Sequence, residues 1–182
     1  MKRVFLGIDL PKELKEKIEE LKAKHNLKSL PIKLVEPENS HIALKFLGEL
    51  PEEEIKALIE NIQSSIAGFK GFEVSLNGLI AFPGFFKPRV LAIKIESVNL
   101  EGLAKKIFAG LDGLSFVKPE ERKYAPHITL GRIKDLLDKE ESLKLAKIKL
   151  QAAFMANRLQ LFESQLTAAG PLYSILQTFE LN

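Results

Sequence analysis

Two short stretches of the sequence, His41-Ile-Ala-Leu44 and His127-Ile-Thr-Leu130, resemble each other. Their histidines lie 86 positions apart, close to half of the 182-residue chain, and each stands near the start of a predicted strand. Residues two apart on a strand point to the same face. Each stretch therefore presents a histidine and its second neighbour on one face and two aliphatic side chains on the other. The repetition indicates an internal duplication in which each half contributes one histidine to a shared cleft.

The rest of the sequence predicts strands and helices in alternation. Residues 4–10 form an apolar run typical of a buried strand, and helices with apolar stripes are expected to begin after Pro11 and Pro51. Residues 136–148 are interpreted as helical, although residues 143–150 also fit the alternation of a strand. Strands and helices joined by many short connections indicate an α+β or α/β protein.

The composition excludes several kinds of catalytic site. The chain contains no cysteine, which rules out disulfide scaffolds, thiol nucleophiles and cysteine-ligated zinc or iron–sulfur sites. Its three histidines, His25, His41 and His127, are widely spaced and match no H-E-x-x-H or H-x-x-E-H metal motif. His25 falls four residues after Leu21 on the apolar stripe of the first helix and is interpreted as structural. We expect neither a metal nor another cofactor.

The charge pattern allows an anionic partner. The net charge is +3 and the sequence pI is near 9.0. Residues 85–134 hold ten Lys or Arg against five Asp or Glu. The longest uncharged stretches, 74–86 and 164–179, are shorter than the roughly 18–20 residues of a membrane span. Because Asp9 and Pro11 also interrupt the N-terminal apolar run, we expect a cytoplasmic protein with no membrane association.

A pair of histidines on facing strands suits phosphate chemistry. An imidazole with an ordinary pKa near about 6.5 populates both protonation states at neutral pH. Two such groups across a phosphodiester can therefore act as general base and general acid. A hydroxyl on the same face, such as that of Thr129, can donate a hydrogen bond to a phosphoryl oxygen.

The two stretches and their flanks resemble a known family. The segments His41-Ile-Ala-Leu-Lys-Phe-Leu-Gly48, Pro126-His-Ile-Thr-Leu-Gly-Arg132, Phe5-Leu-Gly-Ile-Asp-Leu10 and Gly170-Pro-Leu-Tyr173 are similar to those of the 2H phosphoesterase superfamily, in its RNA 2′,3′-cyclic phosphodiesterase (2′-5′ RNA ligase) branch. The superfamily has paired His-x-Thr-x motifs. The similarity spans residues 5–179.

The resemblance implies an α+β fold with two pseudo-symmetric lobes, whose antiparallel sheets line a central cleft and whose helices lie outside. The halves would be intertwined in a single domain over residues 1–182, each carrying one histidine motif. Because two such lobes bury each other's faces, we expect a monomer.

The resemblance also implies an activity, the metal-independent hydrolysis of 2′,3′-cyclic phosphates at RNA 3′ ends to 2′-phosphomonoesters. The substrate would be RNA or a nucleotide that carries the cyclic phosphate. Carried over by motif position, His41 would be the proton donor and His127 the proton acceptor. These roles reverse for 2′-5′ ligation, which the sequence leaves undecided.

Ala43 stands where the family has threonine in the first motif. Its methyl group cannot donate a hydrogen bond, so one of two symmetric hydroxyl contacts to the phosphate is lost. A hydrogen bond to a charged group contributes about 1.5–3 kcal/mol, which corresponds to a roughly ten- to hundredfold lower rate. We expect a retained, slower activity. Two alternatives remain open: a nucleotide- or RNA-end-binding module with weakened catalysis, and a protein whose histidines only pack.

Three further residues are candidates for substrate contact on the faces that alternation assigns. Thr129 shares the face of His127 and is expected to contact phosphate. Lys45 shares the face of His41 and could steer a phosphate, although an exposed strand lysine is the ordinary interpretation. Tyr124 lies just before the second motif and is a weaker candidate.

Two more candidates, Arg132 and Phe46, fall on the opposite face by strict alternation. Arg132 has a guanidinium that can bind phosphate in a bidentate manner, and a bulge at Gly131 could turn it back toward His127. Phe46 is interpreted as a core residue, with stacking on a base as the alternative.

Overall fold

Nine β-strands of the described residues form one antiparallel sheet, against which four α-helices pack. This computed structural model describes residues 1–120, 123–168 and 170–182. In chain order the elements are β1 (Lys2–Asp9), α1 (Lys12–Lys24), β2 (Ile32–Leu34), β3 (His41–Leu50), α2 (Glu52–Ser65), β4 (Phe72–Phe82), β5 (Val90–Glu96), α3 (Val98–Leu111), β6 (His127–Ile133), α4 (Lys139–Ala146), β7 (Gln151–Ala156), β8 (Arg158–Leu166) and β9 (Pro171–Glu180). No helix in these residues is long and apolar enough to cross a membrane.

The order of strands in the sheet puts both histidine motifs at its centre. The order is β7-β4-β5-β6-β3-β1-β8-β9, and the short strand β2 pairs with β6 beside β3. His41 is the first residue of β3 and His127 the first residue of β6. Apart from β2, the sheet therefore consists of two four-stranded halves that meet at the β6–β3 junction. The predicted α+β class with antiparallel strands is confirmed.

The first two helices begin where the sequence places them, whereas α3 begins at Val98 behind an N-cap at Ser97 rather than at the expected cap Asn99. Pro11 and Pro51 immediately precede α1 and α2, and three glutamates occupy the first turn of α2, where the helix dipole favours negative charge. Leu14 and Ile18 of α1 are buried, as are the inward residues of α2 and α3. They share one apolar core with Leu6 and the other alternate residues of β1. This core covers one face of the sheet, and the opposite face is available for a functional site.

Residues 139–146 of the predicted 136–148 helix form α4, which begins at a capping box. The Asp138 carboxylate accepts from the Glu141 N–H at 2.7 Å, and the Glu141 carboxylate accepts from the Asp138 N–H at 3.1 Å. This reciprocal cap favours a helix over the alternative strand at residues 143–150, and β7 begins only at Gln151.

The prediction that His25 packs on the apolar stripe of α1 is wrong. His25 is the C-cap residue of α1 and is exposed. The inward position near this end of the helix belongs to Lys22, which is 2% exposed. Its ammonium group lies 2.6 Å from both a Glu19 carboxylate oxygen and the Val35 carbonyl oxygen, and these partners offset the cost of burying the charge.

Candidate active site

His41 and His127 lie on the same face of the sheet, on adjacent strands. Ile42 is directly opposite Ile128 in antiparallel register, and both are fully buried in the helix-side core. Their sequence neighbours therefore project from the other face. The two histidines occupy diagonal positions across the strand pair, where side chains lie roughly 7–8 Å apart, a gap that a phosphate group can occupy. We call this surface the histidine face; it comprises His41, Ala43, His127 and Thr129.

Both imidazole rings are held in the same way. The Nδ1 atom of His41 lies 2.7 Å from the carbonyl oxygen of Asn39, and the Nδ1 atom of His127 lies 2.8 Å from the carbonyl oxygen of Ala125. Because a carbonyl oxygen only accepts, Nδ1 must carry the proton in each neutral ring. Nε2 is then the atom that takes up or releases a proton, in both halves of the protein.

Burial lowers the pKa of His41 below its ordinary value. The positive charge of its neighbours His127 and Lys15 lowers the pKa further, whereas the Asn39 carbonyl and the Asp9 carboxylate raise it. Burial is the largest of these effects, so the neutral ring is favoured in the free protein. A bound phosphodiester adds a negative charge beside the ring and favours the imidazolium that a proton donor needs.

We expect the His41 imidazole to titrate below pH 6.5 when its C–H resonances are followed by NMR from about pH 5 to pH 8. Since the unfolded chain takes up this proton first, the contribution of His41 to the free energy of unfolding is complete above pH 6.5. It is lost as the pH falls through the folded-state midpoint. Added inorganic phosphate is expected to raise the midpoint. A midpoint above 6.5 in the free protein would contradict the effect of burial.

The acidic group that acts on His41 has a cationic partner of its own. Asp9, whose charge raises the pKa of His41, pairs with Lys15 at 2.7 Å. Within the part of the chain that the structure describes, no three His, Asp or Glu side chains are grouped so that they could hold a metal ion.

A β-bulge in β6 turns Arg132 toward the histidine face. β6 advances one residue more than β5 between Thr129 and Gly131, which makes Leu130 the extra residue. Alternation is reversed beyond such a bulge. Arg132 is exposed and close enough to Tyr173, on β9, to lower the pKa of the phenol against the larger, opposite effect of burial. The structure therefore contains the bulge predicted near Gly131.

A matching bulge in β3 exchanges the expected positions of Lys45 and Phe46. β3 advances one residue more than β1 between Ala43 and Lys45, with Leu44 as the extra residue. Phe46 is 71% exposed, and its ring centroid lies 5.6 Å from that of Phe5, while Lys45 is 5% exposed. The predictions that Phe46 belongs to the core and that Lys45 shares the face of His41 are both wrong, because strict alternation ends at the bulge.

The side chains of Lys45 and Tyr124 lie outside the histidine face and stabilise β3. The Lys45 Nζ atom lies 3.4 Å from a carboxylate oxygen of Glu120 and 5.1 Å from the ring centroid of Phe108. The Tyr124 hydroxyl donates to the Ala43 carbonyl oxygen at 3.1 Å, and its ring packs edge-on against Phe108. Burial raises the pKa of Tyr124, so the phenol stays protonated and keeps this bond. Both side chains hold β3 rather than face the cleft.

Aromatic rings surround the two imidazoles, and two of them, Phe5 and Phe82, were not selected by sequence reasoning. The ring centroids of Phe5 and Tyr173 lie 4.7 and 5.3 Å from that of His41, and Phe82 lies 4.9 Å from His127. Phe5 is buried but lies outside the helix-side core. The alternation of β1 could have placed Phe5 on the cleft face, since it stands two residues before a glycine that pairs with the first motif. No comparable signal marks Phe82.

The whole arrangement has known counterparts. Residues 8–92 and 95–173 match the family described as LigT like Phosphoesterase. The chain belongs to this family. Among curated relatives of this LigT-like phosphoesterase, the RNA 2′,3′-cyclic phosphodiesterase of Methanocaldococcus jannaschii is 37% identical over 179 residues, which cover 96% of the chain and 98% of the relative. The protein of the same name from Thermotoga maritima is 33% identical over 178 residues, 96% of the chain and 92% of the relative.

Solved structures share the fold of this LigT-like phosphoesterase. The protein TT0787 of Thermus thermophilus superimposes with a TM-score of 0.85 at 28% identity, covering 98% of the chain and 97% of TT0787. Escherichia coli LigT, solved in complex with 3′-AMP, gives a TM-score of 0.84 at 24% identity, covering 100% of the chain and 98% of LigT.

Proposed function

We propose that this chain hydrolyses 2′,3′-cyclic phosphodiesters at RNA 3′ ends and leaves a 2′-phosphomonoester. The observation that carries the proposal is the pair of imidazoles on one face of adjacent strands, each held through Nδ1 by a backbone carbonyl oxygen. The names of the curated relatives supply the substrate class.

In the proposed reaction, the Nε2 atom of one histidine accepts a proton and the Nε2 atom of the other histidine donates one. The neutral His127 accepts a proton from a water molecule, whose oxygen attacks the phosphorus atom. The bond between phosphorus and the 3′ oxygen breaks, and the imidazolium of His41 gives its proton to the departing 3′ oxygen. A preformed base and acid at such positions accelerate a reaction by about 10²- to 10⁴-fold through proton transfer. The two imidazoles account for both transfers.

Other residues of the cleft would bind the phosphate and the base. Thr129 lies on the histidine face and can donate its hydroxyl proton to a phosphoryl oxygen, while the guanidinium of Arg132 supplies positive charge. The exposed ring of Phe46, which rests on Phe5, offers a platform on which the terminal base can stack.

Two further possibilities belong to the same site. By microscopic reversibility, the proton transfers can run backwards and join a 2′,3′-cyclic phosphate to a 5′-hydroxyl in a 2′-5′ linkage. The second candidate function is a module that binds RNA ends with weakened catalysis. Ala43 favours it, because this position of the histidine face has no hydroxyl to offer the phosphate.

The deciding experiment is product analysis on RNA that ends in a 2′,3′-cyclic phosphate. We expect the wild-type protein to produce a 2′-phosphate, distinguished from a 3′-phosphate by phosphorus NMR, in the presence of a metal chelator as well as in its absence. Ligation would appear as a longer product when RNA with a 5′-hydroxyl is added. Salt-dependent binding without turnover would favour the binding module, and a 3′-phosphate product would contradict the proposed assignment of base and acid.

A further inference from the structure

We propose that the β4–β5 loop, residues 83–89, is a second RNA contact, in which Phe86 stacks on a base upstream of the terminal nucleotide. The proposal rests on the proposed function, because it takes the cyclic phosphate to occupy the histidine face. The ligand of the loop is the single-stranded body of the substrate RNA, bound by ring stacking and by phosphate contacts rather than by sequence.

The loop displays one of its two adjacent phenylalanines entirely to solvent. Phe85 packs against the helix-side core, whereas Phe86 is 101% exposed. A hydrogen bond from the Lys87 N–H to the Gly84 carbonyl oxygen, 3.3 Å long, closes the turn that presents the ring. With Phe85 anchoring the turn, the Phe86 ring has both faces open, as a stacking platform for a base requires.

The loop begins and ends beside the candidate active site. It leaves β4 at Phe82, whose ring is 4.9 Å from that of His127, and enters β5 at Val90, which pairs with both Phe82 and Arg132. Four residues of chain reach at most about 14 Å, which limits the distance from Phe82 to Phe86. A stacked strand advances about 3.4 Å per nucleotide, so the chain from Phe82 to Phe86 spans at most the length of about four stacked nucleotides.

Positive charge continues from the histidine face to the loop. Lys33 is directly opposite Arg132 in the β2–β6 pair, and Lys87 and Arg89 are in the loop itself. All four side chains are exposed, and none forms an ion pair with a carboxylate within residues 1–120, 123–168 and 170–182. An RNA backbone that leaves the active site in this direction would meet cations at each step, which favours RNA over an apolar partner for Phe86.

The test compares a 2′,3′-cyclic mononucleotide with a cyclic-phosphate RNA of about eight nucleotides, a length within the range that single-strand sites cover. Phe86→Ala is expected to raise KM for the RNA by about five- to hundredfold, the loss typical of one stacked base, and to leave kcat/KM for the mononucleotide unchanged. Phe86→Trp should retain the wild-type KM. Val98→Ala, which truncates another highly exposed apolar side chain at the start of α3, is the matched control and should leave KM for both substrates unchanged.

Fluorescence anisotropy of the same RNA, labelled at its 5′ end, measures the contact without requiring turnover. Weaker RNA binding by Phe86→Ala than by wild type supports the loop contact even if no protein turns over either substrate, a result that would overturn the proposed function alone. Unchanged RNA binding and KM in Phe86→Ala overturn the loop contact alone. An equal loss on mononucleotide and RNA also overturns it, because the ring would then act on the active site rather than on the upstream strand.

Discussion

His127→Ala is expected to lower kcat on RNA with a 2′,3′-cyclic phosphate by about 10²- to 10⁴-fold, the usual contribution of a positioned general base. The variant keeps the strand and the core, because only the ring that leaves the sheet on the cleft side is removed and Ile128 remains buried. Steady-state kinetics with a fixed RNA measures the loss. KM is expected to change far less than kcat, since the base acts in the transition state.

His25→Ala is the matched control, because His25 is exposed at the end of α1 and outside the site. It should leave kcat unchanged. His41→Ala should lower kcat about as much as His127→Ala. The double variant should lower kcat little more than either single variant, because the effects of a base and an acid that act in one reaction are not additive. A His127→Ala protein with wild-type kcat would show that the ring is not the base. Thermal denaturation of each variant distinguishes a loss of kcat at the site from a folding defect.

The histidine pair was predictable because its signal is repeated. Two motifs about half a chain apart, each with aliphatic residues at alternate positions, require two buried strands with polar residues on the other face. The same reasoning explains the success at α1 and α2, where proline and the apolar stripe mark the helix start. Strands β3 and β6 are neighbours and pair at Ile42 and Ile128. Their adjacency depends on the order of strands in the sheet, which the duplication predicts only indirectly.

The positions of Lys45, Phe46 and Arg132 depend on bulges that alternation does not reveal. In β6 a glycine marks the place, since a Cβ at Gly131 would lie 2.6 Å from the Ile32 side chain and 2.8 Å from the Lys33 carbonyl oxygen. The equivalent residue of β3 is Lys45, whose long side chain extends toward Glu120. No glycine therefore marks this bulge in the sequence. The same backbone irregularity therefore had a visible signature in one half only.

Ala43→Thr is expected to raise kcat about ten- to hundredfold, the second large effect. The added hydroxyl would donate to a phosphoryl oxygen opposite the one proposed for Thr129, and a hydrogen bond to a charged group contributes about 1.5–3 kcal/mol. Room for the larger side chain exists, because Ala43 pairs with Gly7 on β1, which presents no Cβ across the strand pair. In the other half Thr129 already stands opposite the small Ala92.

Ala43→Val separates the hydroxyl from its bulk, since valine has nearly the shape of threonine and cannot donate. We expect Ala43→Val to remain at or below the wild-type kcat, whereas Ala43→Thr exceeds it on the same RNA and with the same product. Equal rates for the two variants would mean that packing at position 43, rather than a phosphate contact, limits the reaction. Because the Ala43 carbonyl oxygen accepts from Tyr124, the backbone at this position is held independently of the side chain, so either substitution tests the side chain itself.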